Sequence, residues 1–202
     1  MDDSISGSGR IAITHDRPSV FSPFLQKGAR IQVETGCSIS AMLCGQFGIS
    51  ADYIDNRIKT IFLDGHPVDD VNTAVVQDGA TLALAAAMPG LVGAILRRGG
   101  DLASLRSTIS YRSGEERTER RDGVIVIKLF NLVIRELGPV FLKSGIRVST
   151  DDLLSFFRQQ RTDFWSACRS VEINNEPVDP EALKQLNSRH IAEYVLQVVS
   201  PD

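Results

Sequence analysis

Near the start of the chain, residues 10–14 and 30–34 alternate apolar and polar, the period-two pattern of half-buried strands, with Ile31 and Val33 on one face of the second. The period then changes. Thr35-Gly36-Cys37-Ser38 supplies two helix-start residues, Ile39, Met42, Leu43 and Phe47 follow at helical spacing, and Gly48 stops the run. Ser50 opens a second, short helix ending near Arg57. Residues 60–63 read as a buried strand, Asp64-Gly65 as a turn, Val75-Val76 as a short apolar piece, Asp78-Gly79 as another turn and residues 81–85 as a closing strand.

The second half runs through the same order. Residues 123–130 form a strand pattern that extends toward Ile134, and 145–148 form the next. Ser149-Thr150 caps a helix with Asp151 and Asp152 in its first turn, where carboxylates suit the helix dipole. Leu153, Leu154 and Phe157 make its apolar face. Residues 162–165 start a short helical turn, 170–173 a strand, Asn174-Asn175 a turn and 193–199 the closing strand. The two halves match letter by letter in places. Ile61-Phe-Leu-Asp-Gly-His-Pro-Val-Asp69 lies over Val171-Glu-Ile-Asn-Asn-Glu-Pro-Val-Asp179 at constant offset, and Ile31-Gln-Val-Glu-Thr35 lies over Ile146-Arg-Val-Ser-Thr150. Such self-similarity predicts two like folding units.

Each half therefore reads as α+β, a mixed sheet with one main helix packed on it. The expected division is a disordered tail over 1–9, a first domain over 10–92, a basic irregular linker or hairpin over 93–122 and a second domain over 123–202. Charge supports the separate middle: residues 93–122 hold 7 basic and 5 acidic residues, whereas the whole chain carries −3. A net acidic chain is not a general nucleic-acid binder. Cys37, Cys44 and Cys168 lack the spacing of a disulfide framework or zinc site and read as free thiols. The first residues lack the basic and apolar regions of a signal peptide, and the most apolar run, 80–96, is broken by Pro89 and Gly90. A cytoplasmic protein with no membrane association is expected.

Residues 30–91 resemble the small sulfur-carrier proteins of thiamine and molybdopterin synthesis, members of the β-grasp (ubiquitin-like) superfamily. The resemblance rests on a strand followed by Thr-Gly-x-Ser-Ile opening a helix, a strand ending in Asp-Gly-x-Pro-Val, and Asp78-Gly79 before a hydrophobic strand leading to a glycine. It implies two tandem β-grasp domains. It implies the carrier chemistry less well, because those carriers end in a Gly-Gly whose carboxylate is activated. Here the matching place reads Met88-Pro89-Gly90-Leu91 and the chain continues.

The candidate sites are few. Arg97-Arg98-Gly99-Gly100 is similar to ubiquitin's basic tail, and cleavage after Gly100 would expose such a carboxylate; a plain turn is the simpler reading. Cys37 at a helix N-terminus is a candidate reactive thiol. Asp64, His66, Asp69 and Asp70 surround one turn, but turn chemistry accounts for them and no metal site is expected. Arg97, Arg98, Arg106, Arg112, Arg117, Arg120 and Arg121 could meet phosphates, although interspersed acids and the lack of an aromatic series beyond Tyr111 weaken a nucleic-acid surface. Phe156 lies off the face of Leu153 and Phe157 and is expected to be exposed and to mark a partner or domain–domain contact. Residues 88–96, rich in small residues, suit a close-packed contact between domains or copies. With no phosphate loop, catalytic triad or metal-ligand motif in the sequence, the expectation is a non-enzymatic binding protein with a protein partner and no cofactor. A sulfur-carrier or modifier precursor processed after Gly100, and a cysteine-dependent enzyme using Cys37, are the alternatives. Oligomeric state is not legible.

Overall fold

The computed structural model describes residues 8–111, 119–186 and 191–201. Its strands are β1 (Ser8–His15), β2 (Ala29–Thr35), β3 (Cys37–Ser38), β4 (Thr60–Leu63), β5 (His66–Pro67), β6 (Val75–Val76), β7 (Thr81–Ala85), β8 (Arg121–Leu129), β9 (Ile146–Ser149), β10 (Cys168–Ile173), β11 (Glu176–Pro177) and β12 (Glu193–Val199). The α-helices are α1 (Ser22–Lys27), α2 (Ile39–Phe47), α3 (Ala51–Asn56), α4 (Gly90–Leu96), α5 (Asn131–Ser144), α6 (Thr150–Arg158) and α7 (Thr162–Ser166), with 3₁₀ turns at Pro18–Phe21, Ala103–Arg106 and Pro180–Gln185. The fold is mixed α/β and divides into two compact units. A continuous unit holds Leu25–Gly138, and a split unit holds Met1–Phe24 with Pro139–Asp202. No helix among the described residues is long and apolar enough to cross a membrane.

The continuous unit is built on five strands in the order β2-β8-β7-β4-β5. The central pair β7 and β8 is parallel and the other neighbours are antiparallel. Alternation sets which residues face the core: Ile31 and Val33 of β2, and Ile125 and Ile127 of β8, are buried. The helix start is legible down to the atom. Ser38 Oγ accepts the Ala41 N–H at 3.2 Å, and Gly48 closes α2 at φ 66°. Thr35, the other possible cap, instead donates its hydroxyl to the Arg121 carbonyl at 3.0 Å. A parallel pair needs a long crossover, and of the chain between Ala85 and Arg121 the described residues 86–111 are folded onto this unit.

The split unit has the same pattern of directions, β9-β12-β1-β10-β11, with β1 and β12 as its parallel pair. A turn present in both units shows how their strands correspond. Val68 donates to the Ile61 carbonyl at 2.9 Å, and Val178 donates to the Val171 carbonyl at 2.9 Å. Asp64 and Asn174 both take positive φ, 50° and 53°. Asp64 donates its N–H to Thr81 and accepts the Thr81 N–H on its side chain; Asn174 does both with Arg10. The strand beside the turn is therefore β7 in one unit and β1 in the other. The closing strand of the first half stays with its own turn, while the place beside the second turn goes to the first strand of the chain. In return β8, which opens the second half, completes the continuous unit. Both travelling strands read Gly-x-Ile-x-Ile, at Gly9–Ile13 and Gly123–Ile127, so either offers the same buried face.

Several local expectations are corrected. Ser8 and Gly9, expected in the tail, open β1, since their backbone pairs with Glu193 and Tyr194; residues 1–7 lie outside the described residues. The strand expected to run toward Ile134 ends at Leu129, and Asn131, at φ 45°, turns the chain into α5. Residues 108–111 are turns rather than a hairpin arm, because their backbone bonds fold back onto Arg106 and Pro67. Phe156 is not an exposed contact residue: its ring lies 4.9 Å from that of Phe24 and 5.3 Å from that of Phe21. Those two phenylalanines come from Pro18–Phe21 and α1, elements whose lack of clear periodicity hid them.

Candidate functional site

Of the middle of the chain, expected as an irregular linker, residues 93–111 form with the start of α4 an ordered cap on the continuous unit. The Ala86 N–H bonds to the Asn131 side chain at 2.8 Å as the chain leaves β7. Pro89 precedes α4, and a Cβ at Gly93 would run into the Met88 carbonyl, so only glycine permits this approach. After α4 the Arg98 N–H donates to the Lys59 carbonyl at 2.7 Å, Gly99 turns at φ 60°, and the Gly100 N–H returns to the Arg97 carbonyl at 3.2 Å. The cap is anchored by Arg106, whose side chain is 1% exposed. It donates twice to the Asp69 carboxylate, at 2.7 and 2.9 Å, and also to the Ile95 carbonyl and the Ser110 hydroxyl. Tyr111 then donates its N–H to the Pro67 carbonyl at 2.8 Å.

Two surface features sit on this cap. Leu91 and Val92 of α4 are 69% and 67% exposed, and Leu105 and Ile109, on and just after the adjoining 3₁₀ turn, are 68% and 51% exposed. Beside them is an open hollow of about 500 Å³ lined by Lys59, Met88, Gly90, Gly93, Ala94 and residues 97–102. All four residues of the candidate tail, Arg97, Arg98, Gly99 and Gly100, line it. Arg98 turns inward to the Asp55 carboxylate at 3.0 Å and the Ile54 carbonyl at 2.9 Å.

Cys37 lies in a second hollow of the same unit, with Gln46, Glu34 and Arg120. Its thiol donates to the Glu34 carbonyl at 3.3 Å, and the Gln46 amide approaches the sulfur at 3.8 Å. Burial pushes the thiol pKa up, with Arg120 acting in the opposite direction, so the group is held as a thiol at neutral pH. Arg120 itself pairs with Glu34 at 3.1 Å. The carboxylates around the Asp64 turn are engaged separately: Asp64 with the Thr81 N–H, Asp69 with Arg106, and Asp70 with the Asn72 N–H. His66 faces the Ile109 carbonyl at 3.1 Å.

The middle arginines are not gathered on one face. Arg106 is buried, Arg98 points inward, Arg120 is paired, and Arg112 and Arg117 lie outside the described residues. Two groupings escaped the sequence. Glu136 of α5 accepts from the Tyr53 hydroxyl at 2.6 Å and from the Arg57 guanidinium, which holds its carboxyl down at about 2. His15 is fully buried among Phe21 and Phe164 in the split unit. The i,i+4 pairing of Tyr53 and Arg57 was a visible signal; the spatial partner of His15 was not. No protein-family model matches the chain, and no curated protein and no solved structure matches it.

Proposed function

We propose that this chain is a non-catalytic binding protein made of two β-grasp-like units, and that it docks a protein partner through the cap formed by α4 and residues 103–109. The observation that carries this reading is the exposure of Leu91, Val92, Leu105 and Ile109 on a segment whose backbone is anchored from beneath by Arg106 and Asp69. An ordered surface that keeps large apolar side chains in water gains free energy when a partner covers them. Exposed Arg97 at the edge favours a partner whose apolar face is flanked by acidic side chains. The β-grasp reading rests on the parallel pair of strands in each unit and on the helices α2 and α6 that follow β2 and β9.

The raised thiol pKa of Cys37 weighs against a cysteine enzyme. Release of a carrier tail after Gly100 would part β7 from β8, its neighbour in the sheet. Both remain lower-ranked proposals. The binding reading is tested by placing a photo-crosslinking residue at Val92 or, as a control, at exposed Ser155, and irradiating the protein in its own host. A discrete protein adduct at Val92, absent at Ser155 and lost when Leu91→Asp is added, is expected. No adduct, or equal adducts at both positions, would remove the case for this surface.

A further inference from the structure

The hollow beside α4 has a chemistry that the docking surface touches only through Arg97. Its most telling group is Arg98, whose side chain is only 10% exposed. A guanidinium carries five N–H donors. Here the acceptors are both on Nη2, Asp55 Oδ1 and the Ile54 carbonyl, and among the described residues Nε and Nη1 have none. Those two nitrogens are not among the buried unpartnered side-chain atoms, so they reach solvent and are open to an incoming acceptor. The side chain lines the hollow. Two more cations stand around it. Lys59 uses one ammonium proton on the Asp55 carbonyl at 2.7 Å, and exposed Arg97 makes no ion pair among the described residues. The backbone adds to this. Gly90 and Gly99 present bare main chain to open space, and the amides of Asp101 and Leu102 donate to no group among the described residues. Two carboxylates, Asp101 in the lining and Asp55 paired with Arg98, oppose the three cations.

We infer that this hollow is a binding site for the phosphate group of a small molecule. The balance of three cations against two acids is still positive, and the several oxygens of a phosphate can accept from both side chains and amides where a single carboxylate offers two. About 500 Å³ is room for a small metabolite. Met88 and Leu102 offer apolar contact to the remainder of the ligand. Leu91 and Val92 do not line the site, and Arg97 is the one residue it shares with the docking edge, so Lys59→Gln is the variant that reads phosphate binding alone.

The test is calorimetric titration of the full chain with inorganic pyrophosphate, repeated on Lys59→Gln, Arg97→Gln and a control, Arg161→Gln, which removes an exposed charge in the split unit. Saturable binding that weakens about tenfold in each of the first two variants and is unchanged in the third is expected, the loss of one charge-assisted hydrogen bond. Acetate at matched ionic strength should not compete. No saturable binding up to millimolar pyrophosphate, equal weakening in Arg161→Gln, or competition by acetate would overturn the assignment. Circular dichroism of the variants separates lost binding from lost folding, and the crosslinking at Val92 stands or falls separately.

Discussion

At the scale of single residues, His15 has the clearest consequence for the behaviour of the protein. It is fully buried, its Nδ1 accepts the Arg17 N–H at 2.9 Å, and its Nε2 has no partner. The ring therefore carries its proton on Nε2, facing Phe164 at 4.8 Å and Phe21 at 5.7 Å between centroids. Burial lowers its pKa below the ordinary value; the Phe164 carbonyl and Asp16 pull the other way and Arg17 assists. Asp16 is itself tied to Arg169 at 2.6 Å, so little negative charge is left to hold an imidazolium. Below pH 6.5 the unfolded chain takes up a proton that the folded chain refuses. Stability should thus fall as pH drops from about 6.5 toward the folded pKa, with a slope of at most about 1.4 kcal/mol per pH unit. Urea midpoints measured from pH 7.5 down to 5.5 are expected to show this decline, and His15→Phe to flatten it. A profile for His15→Phe as steep as that of the parent chain would place the titrating group elsewhere.

At the scale of elements, how much was legible depended on whether a pattern was local. Ser38, Ser149 and the turns at Asp64 and Asn174 act where the sequence put them, because a cap or a positive-φ turn is decided by neighbours within four residues. Elements without periodicity were missed. Residues 18–27 and α4 are too short and too rich in Pro, Gly and small residues to show an amphipathic face, and Pro139 inside α5 disguised a helix as a strand's continuation. The hollow was half legible: Arg97, Arg98, Gly99 and Gly100 were singled out, but for a tail, whereas Lys59 and Met88 join them only through folding. The cap depends on Arg106, a charge that composition assigned to solvent. Arg106→Ala leaves Asp69 and the Ile95 carbonyl without their donor and should cost about 2–4 kcal/mol, below the range for a fully buried pair because Asp69 stays partly exposed. Hydrogen exchange should accelerate first across residues 90–110, with Arg106→Lys intermediate because an ammonium cannot reproduce the two-pronged contact. Uniform acceleration over both units would show instead that the cap is not a separate cooperative element.

At the scale of the whole molecule, the exchange of strands makes each half of the sequence incomplete alone. Residues 1–100 contain β2, β4, β5 and β7 but not β8, which lies between β2 and β7 in the sheet. Residues 101–202 contain β9 to β12 but not β1, which lies between β10 and β12. Removing a central strand exposes two rows of backbone donors and acceptors and opens the core that Ile125 and Ile127, or Ile11 and Ile13, fill. The two fragments expressed apart are therefore expected to be unfolded or aggregated. Expressed together, they should copurify as an equimolar complex with the circular dichroism of the intact chain, and Ile125→Lys in the second fragment should dissolve it. The same logic bears on processing after Gly100. A cut there would leave the product held by β8 rather than freed as a carrier, so a fragment 1–100 that is folded, monomeric and cooperative in denaturant would contradict the exchanged arrangement and restore the carrier reading in one result.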